Sequence, residues 1–365
     1  MVLKRVQFRL YPTKSQQVLI EQNFSLARKV YNFFLEYSTK QYELNGISVN
    51  YGMMCSVLTQ LKRQEQFSYL NEADSIALQQ SLRDLHQARQ NFFKYHSRYP
   101  HFKSRKRSKA CYRTICKQDR LYENRIKLPK IGYVKTKVSL DINNIQSITV
   151  KRTASGEYFV SVLYEAEPQP LPLSLNNVGI DVGLKSFLTD SNGKVVPNSR
   201  FYEKALKRLA REQHRLSRKV KGSKNYEKQR RRLAIRYEKV VNCRNDFLHK
   251  LSLDYIRDNQ TVCVEDLNVK GMLRNHKLAS HIASVVWSTF FEMLRYKALW
   301  YGRNFVEVPK FYASSQLCFV CGYKNLKVKN LDVRHWICPS CHTSHDRDFN
   351  AARNILRKGL EMLSC

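Results

Sequence analysis

Hydrophobic and polar positions change period several times along the chain, and each change marks an element. Val6, Phe8 and Leu10 alternate with polar residues in a short strand that ends at Pro12. From 13 to 38 the spacing becomes three and four. Leu19, Asn23, Ala27, Val30, Tyr31 and Phe34 then share one helical face while Lys14, Arg28 and Lys29 stay charged. A second helix is predicted from about Tyr51 to Arg63. A third runs from Asp74 to His96, with Leu78, Leu82, Leu85, Ala88 and Phe92 as its stripe. Alternation returns between Arg125 and Tyr164, at Ile126 and Leu128, then Ile145 to Val150, then Tyr158 to Tyr164, with Ala154-Ser155-Gly156-Glu157 as a hairpin turn. These strands predict a small β-barrel or sheet, residues 1–12 and 99–170, with a helical module, 13–98, inserted in it.

PQPLPL, residues 168 to 173, is a rigid extended linker and the predicted domain boundary. Beyond it, Val178 to Leu184 reads as a buried strand interrupted by Asp181. Ser186 to Thr189, a turn at Ser191-Asn192-Gly193, and Val195-Val196 continue it as the antiparallel meander that opens an RNase H-like fold. Residues 202 to 257 are two long helices broken near Gly222-Ser223. The strand Thr261 to Val264 ends in Glu265, and Asp266 beside it points to the other face of a regular strand. A helix from Ser280 to Tyr301 is predicted to turn Ile282, Val286, Phe290, Met293, Leu294 and Leu299 inward, and Phe305 to Val308 is a further strand. In the last helix Asp348, Ala352 and Ile355 share a face, and its two alanines allow close approach to the sheet. The fold class is α+β and multidomain: a β-barrel with an inserted helical module, then an α/β domain, 171–311 and 346–365, interrupted at 312–345.

That interruption carries the clearest chemistry. Cys318 and Cys321 form one C-x-x-C pair and Cys338 and Cys341 a second, the spacing of a four-thiolate zinc ribbon. Two disulfides or four buried thiols are the alternative, and His335, His342 or His345 is each a possible substitute ligand. A second cluster comes from the acids. Burying an unpaired carboxylate costs several kcal/mol, so Asp181, Glu265 and Asp348, converging from separate segments, are expected to hold divalent ions. Three such acids suit two ions ~3.5 to 4 Å apart in phosphodiester hydrolysis, and oxygen ligands select magnesium or manganese. Asp346 competes with Asp348 for the third position.

Charge then names the partner class. Lysine and arginine total 64 against 30 acidic residues, a formal net charge of +34, and nucleic acid is the expected counter-ion. Lys103, Arg105, Lys106 and Arg107 interleave with Tyr99, His101 and Phe102, a pattern suited to phosphate contact with stacking. Arg230, Arg231 and Arg232 lie in a basic stretch placed to line a duplex, and Arg28 and Asn32 flank Tyr31 as further candidate contacts. A solvated surface is the alternative for each. No apolar run approaches a membrane span, and no membrane partner is expected. The scattered Cys55, Cys111, Cys116, Cys243, Cys263 and Cys365 point to a reducing, cytoplasmic location.

GIDVG, VEDLNVKGM, SSQLCFVCG with CPSCH, and HDRDFNAARNI stand in the order and spacing of the transposon-encoded TnpB (OrfB) proteins, relatives of the type V CRISPR effector nucleases; RKVYNFF and YPHFKSRKR extend the resemblance over nearly the whole chain. One departure is Ala313-Ser314-Ser315, where a Thr-Ser pair is more usual. The resemblance implies a wedge-like nucleic-acid-binding barrel with a helical recognition module and a RuvC-like nuclease domain with an inserted zinc ribbon. It implies RNA-guided DNA cleavage that supports transposon retention, with a guide RNA derived from the transposon end and a double- and single-stranded DNA target in a prokaryotic, nucleoid-associated setting. Matched by position, the catalytic acids fall on Asp181, Glu265 and Asp348 and the zinc ligands on the four ribbon cysteines. Two other functions remain open: a DNA- and RNA-binding regulator of transposition that does not cleave, and an RNase H-like transposase. The single-strand transposases need a His-x-His pair, and no two of the ten histidines are two apart.

Overall fold

The computed structural model describes residues 1–115, 121–122, 124–137, 142, 144–183, 185–198, 200–266, 287–330 and 332–364. The chain divides into two compact units, Met1–Glu167 and Pro168–Cys365.

In the first unit, β1 (Val2–Tyr11) pairs antiparallel with β7 (Tyr158–Ala166) along most of its length and with β5 (Gly132–Thr136) at its end. With β2 (Ala110–Thr114), β3 (Leu121–Tyr122), β4 (Arg125–Leu128) and β6 (Ile145–Arg152), they form one seven-stranded sheet in the order β2-β6-β7-β1-β5-β4-β3. Its inner face buries Phe8, Leu10, Ile126, Val134, Ile148, Val150, Val160 and Val162. Gly156, at φ +91°, makes the β6–β7 turn. Between β1 and β2 the chain forms α1 (Lys14–Asn45), α2 (Tyr51–Leu61), a 3-10 helix (Glu65–Glu72) and α3 (Ser75–Tyr95). Their ends follow the local chemistry. Thr13 and Gln16 form a capping box, Gly46 closes α1 at φ +66°, and Asp74 and His96 bound α3. The helices have a core of their own, around Val30, Phe34, Met54, Leu78, Leu82 and Leu85.

The second unit is built on a five-stranded sheet of order β10-β9-β8-β11-β12, from β8 (Asn177–Val182), β9 (Ser186–Asp190), β10 (Val195–Pro197), β11 (Thr261–Glu265) and β12 (Asn304–Val308). The first three strands are antiparallel, while β8, β11 and β12 run parallel, which is the RNase H-like arrangement. Helices α4 (Arg200–Ser217) and α5 (Lys224–Asp258) make the cross-over to β11. Gly222, at φ +89°, breaks them and Ser223 caps α5. Then α6 (Trp287–Tyr301) leads into β12 and α7 (Arg347–Ser364) closes the unit. The predicted helix start at Ser280, with Ile282 and Val286, lies outside the described residues. Leu299, expected inward, is 65% exposed: the α5-facing side of α6 is taken by Phe290, Met293, Leu294, Lys297 and Ala298, and Leu299 lies one position beyond it. The PQPLPL segment docks on the end of α6, with Gln169 and Leu171 donating to the carbonyls of Trp300 and Tyr301 and Arg303 Nη2 donating to Pro172 O at 2.8 Å.

The two faces of this sheet differ in kind. Side chains alternate along a strand, so Val178 and Ile180 on β8, with Val262 and Val264 on β11, join the large core against α5 and α6. Gly179, Asp181, Cys263 and Glu265 therefore belong to the opposite face, and this is the face on which α7 lies.

Candidate active site and zinc ribbon

Close contact between α7 and the sheet begins at Gly179. A Cβ there would collide with Ala352 O and stand 2.6 Å from Leu356 N; one at Gly359 would meet Cys263 Sγ and, at 2.7 Å, its Cβ. Two glycines, one on the strand and one on the helix, thus let α7 lie directly on β8 and β11. One turn before Ala352, at the open N-terminal end of the helix, stands Asp348. Across the sheet, Val264 pairs in parallel register with Ile180, so the next residues stand side by side, Glu265 at the end of β11 and Asp181 one residue short of the end of β8.

The electrostatics reflect this convergence. Burial pushes the Asp181 carboxyl well above its usual range, and the nearby charges of Asp348 and Glu265 push it further, while Arg347 and Arg334 oppose them. Asp181 thus senses both other acids. Burial also raises Glu265, whose Oε2 accepts a hydrogen bond from Ser314 Oγ at 3.4 Å. Arg334 Nη1 spans both oxygens of Asp348, at 3.3 and 3.4 Å. Asp346 is engaged differently, since its Oδ1 accepts from Phe349 N at 2.9 Å and caps α7. Asp266, the neighbour of Glu265, is exposed.

The ribbon is bound to the same helix. Asn350 Nδ2 donates to Leu317 O at 2.7 Å while its Oδ1 accepts from Phe319 N at 3.0 Å. Asn354 Nδ2 donates to Ser314 O at 2.8 Å and to Leu317 O at 2.7 Å. Both asparagines are 1% exposed, and their spacing of four puts them on one face. Their role was missed in the sequence. The signal was there: two polar side chains at i and i+4 within an alanine-rich, buried stretch. The parts of Ser314 and Arg334 had no signal of this kind.

The cysteine ligands gather as one group, with the sulfurs of Cys318, Cys321, Cys338 and Cys341 all within 4.8 Å of one another. Cys318 Sγ to Cys341 Sγ is 3.6 Å and Cys321 Sγ to Cys338 Sγ is 3.5 Å. A disulfide requires about 2.05 Å, whereas sulfurs about 2.3 Å from one tetrahedral zinc stand roughly 3.8 Å apart. The thiols are free and the donor set fits zinc. Burial pushes Cys318 up to about 12, while the Thr343 hydroxyl and amide pull Cys341 down to about 6. Among the described residues no other group of three or more such ligands is gathered so tightly. The oxygen-only donor set of Asp181, Glu265 and Asp348, with the mutual repulsion at Asp181, fits hard divalent cations.

The basic candidates divide by role. Asn32 locks the basic loop, donating from Nδ2 to Lys103 O and accepting from Lys103 N, both at 2.8 Å, while Lys103 Nζ lies 3.6 Å from the centre of the Tyr31 ring. Arg28 lines a cleft of about 510 Å³ with Gln80, Asp84, Lys103 and Arg113. Arg105, Lys106 and Arg107 are exposed at the loop tip, and Arg230, Arg231 and Arg232 are exposed on α5, with Arg230 paired to Glu227 at 2.7 Å.

Comparison places this architecture. A solved structure described as a Cas12f1-sgRNA-target DNA complex matches with a TM-score of 0.59 at 15% identity, covering 97% of this chain and 98% of that one. The fold is thus that of the compact Cas12f-type proteins. Residues 161–276 match a family described as "Probable transposase", residues 287–355 a Cas12f1-like TNB domain, and residues 1–46 a helix-turn-helix domain of the same OrfB group. A Streptomyces pristinaespiralis protein with the name "Putative RNA-guided DNA endonuclease" is 39% identical over 100% of this chain and 91% of its own length. InsQ of Escherichia coli K12, of the same description, is 32% identical over 100% and 94%. The chain belongs to the TnpB (OrfB) family.

Proposed function

We propose that this protein is the RNA-guided DNA endonuclease of an insertion sequence, cleaving target DNA at Asp181, Glu265 and Asp348 in a RuvC-like, metal-dependent hydrolysis. The observation that carries the reading is the convergence on Asp181 of two further acids from separate elements, at the open ends of β8 and β11 and the start of α7. Bound magnesium or manganese would supply a polarised water and charge neutralisation at the leaving oxygen. The chain's own groups prepare the site. Asp181 is the acid shared between Glu265 and Asp348, Ser314 orients Glu265, Arg334 orients Asp348, and Asp346 fixes the helix end from which Asp348 projects.

The guide RNA, derived from the transposon end, and the double- and single-stranded DNA target would be held by basic surfaces that include Arg28, the Lys103–Arg107 loop and Arg230–Arg232. Asn32 acts there by holding the loop. Among the described residues no helix is long and apolar enough to cross a membrane; the DNA target places the proposed work in the prokaryotic cytoplasm, at the nucleoid. Zinc in the ribbon is structural. The description "Probable transposase" favours one second reading, strand transfer. Guide-RNA-loaded protein incubated with target plasmid and magnesium tests both. Cut ends without joined products are expected; joined products would establish the transposase, and neither product with a correct guide would contradict both.

A further inference from the structure

His345 is a chemically loaded residue that the nuclease reading leaves without a role. It sits on β14 (Ser344–Asp346), directly across from Trp336 on β13 (His335–Ile337), with ring centroids 4.7 Å apart. It is 8% exposed, and its Nε2 stands 3.0 Å from Cys318 Sγ. Two explanations fit a histidine so close to a ligand sulfur: it binds the metal itself, or it donates a hydrogen bond to the thiolate that does.

The geometry favours donation. The four sulfurs already form a group with edges suited to one tetrahedral ion, and His345 is not a member of that group. Charge supplies the motive. Zinc with four thiolates carries two net negative charges, and Cys318 and Cys338 are fully buried. Such a centre needs N–H donors. The backbone amides of Val320 and Cys321 serve Cys318 from its own knuckle; the imidazole reaches the same sulfur from the other end of the ribbon. Outer donors of this kind orient ligands and tune the metal.

Resting on the zinc reading, we infer that His345 is an outer-sphere donor to the zinc-bound Cys318 thiolate, a positioning residue that ties the metal knuckle to the start of α7. The tie has a direction. His345 precedes by one residue Asp346, which caps α7, and by three Asp348. The ion's hold on Cys318 therefore reaches the acidic site through one hydrogen bond and a short, paired strand.

The test uses full-length protein with cobalt or zinc in the ribbon. Wild-type cobalt protein should show an all-thiolate tetrahedral spectrum, and X-ray absorption of the zinc form an all-sulfur first shell. His345→Phe and the smaller His345→Leu, which lack a donor, should shift the sulfur-to-cobalt charge-transfer band and weaken zinc retention against a chelator about 10-fold. His345→Gln, which keeps an N–H near the Nε2 position, should restore most of both. An unshifted band with unchanged zinc retention in the donor-free variants would overturn the inference while leaving the zinc ribbon standing. Nitrogen in the wild-type first shell would overturn it in favour of direct ligation. A wild-type protein that takes up neither metal would remove the zinc reading itself.

Discussion

Gly179 decides how closely α7 can approach the sheet, and so where Asp348 lies relative to Asp181. Gly179→Ala would drive a methyl group into the Ala352 carbonyl and should cost about 1–3 kcal/mol. Because Asp348 rides on the displaced helix, cleavage should fall more than stability, measured as turnover beside a thermal melt. Asp348→Ala should reduce cleavage to background, whereas Asp346→Ala, which removes a helix cap and a 3.8 Å contact with His335, should cost about 1 kcal/mol of stability and leave cleavage measurable. Undiminished cleavage in the Asp348 variant would overturn the assignment. At the buried α5–α6 contact, Lys297 Nζ donates to His249 O at 2.6 Å and to Ser252 Oγ at 2.7 Å, and burial lowers its pKa to about 8. A lysine whose folded pKa lies below its unfolded value opposes folding while charged. From about pH 8 to 10.5 the unfolded chain binds the extra proton, so stability rises with pH in that window. Lys297→Met should therefore raise the melting temperature at pH 7, by about 1–3 kcal/mol of stability, and the advantage should fade towards pH 10.

At the scale of elements, the sequence marked most of the scaffold because its signals are local. Asp74 opens α3 and Gly222-Ser223 separates α4 from α5 where the sequence places them, and the apolar run at Val178 marks β8; α1 instead runs past its predicted end at 38 to Asn45, where Gly46 closes it. Strand β2 was not visible as a strand, since its residues lie at the end of a basic-aromatic run and its partner β6 is distant in sequence. The buried Ala351 and Ala352 allow the approach of α7 as the sequence predicts, and Gly179 on the strand and Gly359 on the helix supply further space that the sequence does not flag. A long-range packing cause of this kind leaves no periodic trace in either segment. Asp181 and Glu265 stand out in the sequence as candidates because a carboxylate near the end of an apolar strand is costly without a function, and Asp348 because it shares a helical face with Ala352 and Ile355. Their supports, Ser314 and Arg334, were not, because each acts across a tertiary contact. The ribbon and α7 are joined by Asn350 and Asn354, so zinc chelation should loosen the Asp348 end of the helix. Magnesium removal should stop cleavage with DNA binding largely retained; binding assays under selective chelation separate the two. Release of DNA on magnesium removal alone would contradict this division.

For the whole molecule, the net charge of +34 makes affinity for nucleic acid salt-dependent through counterion release. Replacing Arg230, Arg231 and Arg232 with Gln should weaken binding and reduce the slope of log affinity against log salt by about one for each phosphate no longer neutralised. An unchanged slope would assign that face to solvent. Guidance by RNA and chemistry at the three acids are tested together. The most direct measurement is cleavage of a plasmid bearing the guide-matched target by guide-loaded wild-type protein and by the Asp181→Ala, Glu265→Ala and Asp348→Ala variants, with and without magnesium. Magnesium-dependent cuts at the matched target are expected from the wild type alone, with all three variants still binding the guide RNA. Cleavage that persists in any of the three variants, or that ignores the guide, would contradict it.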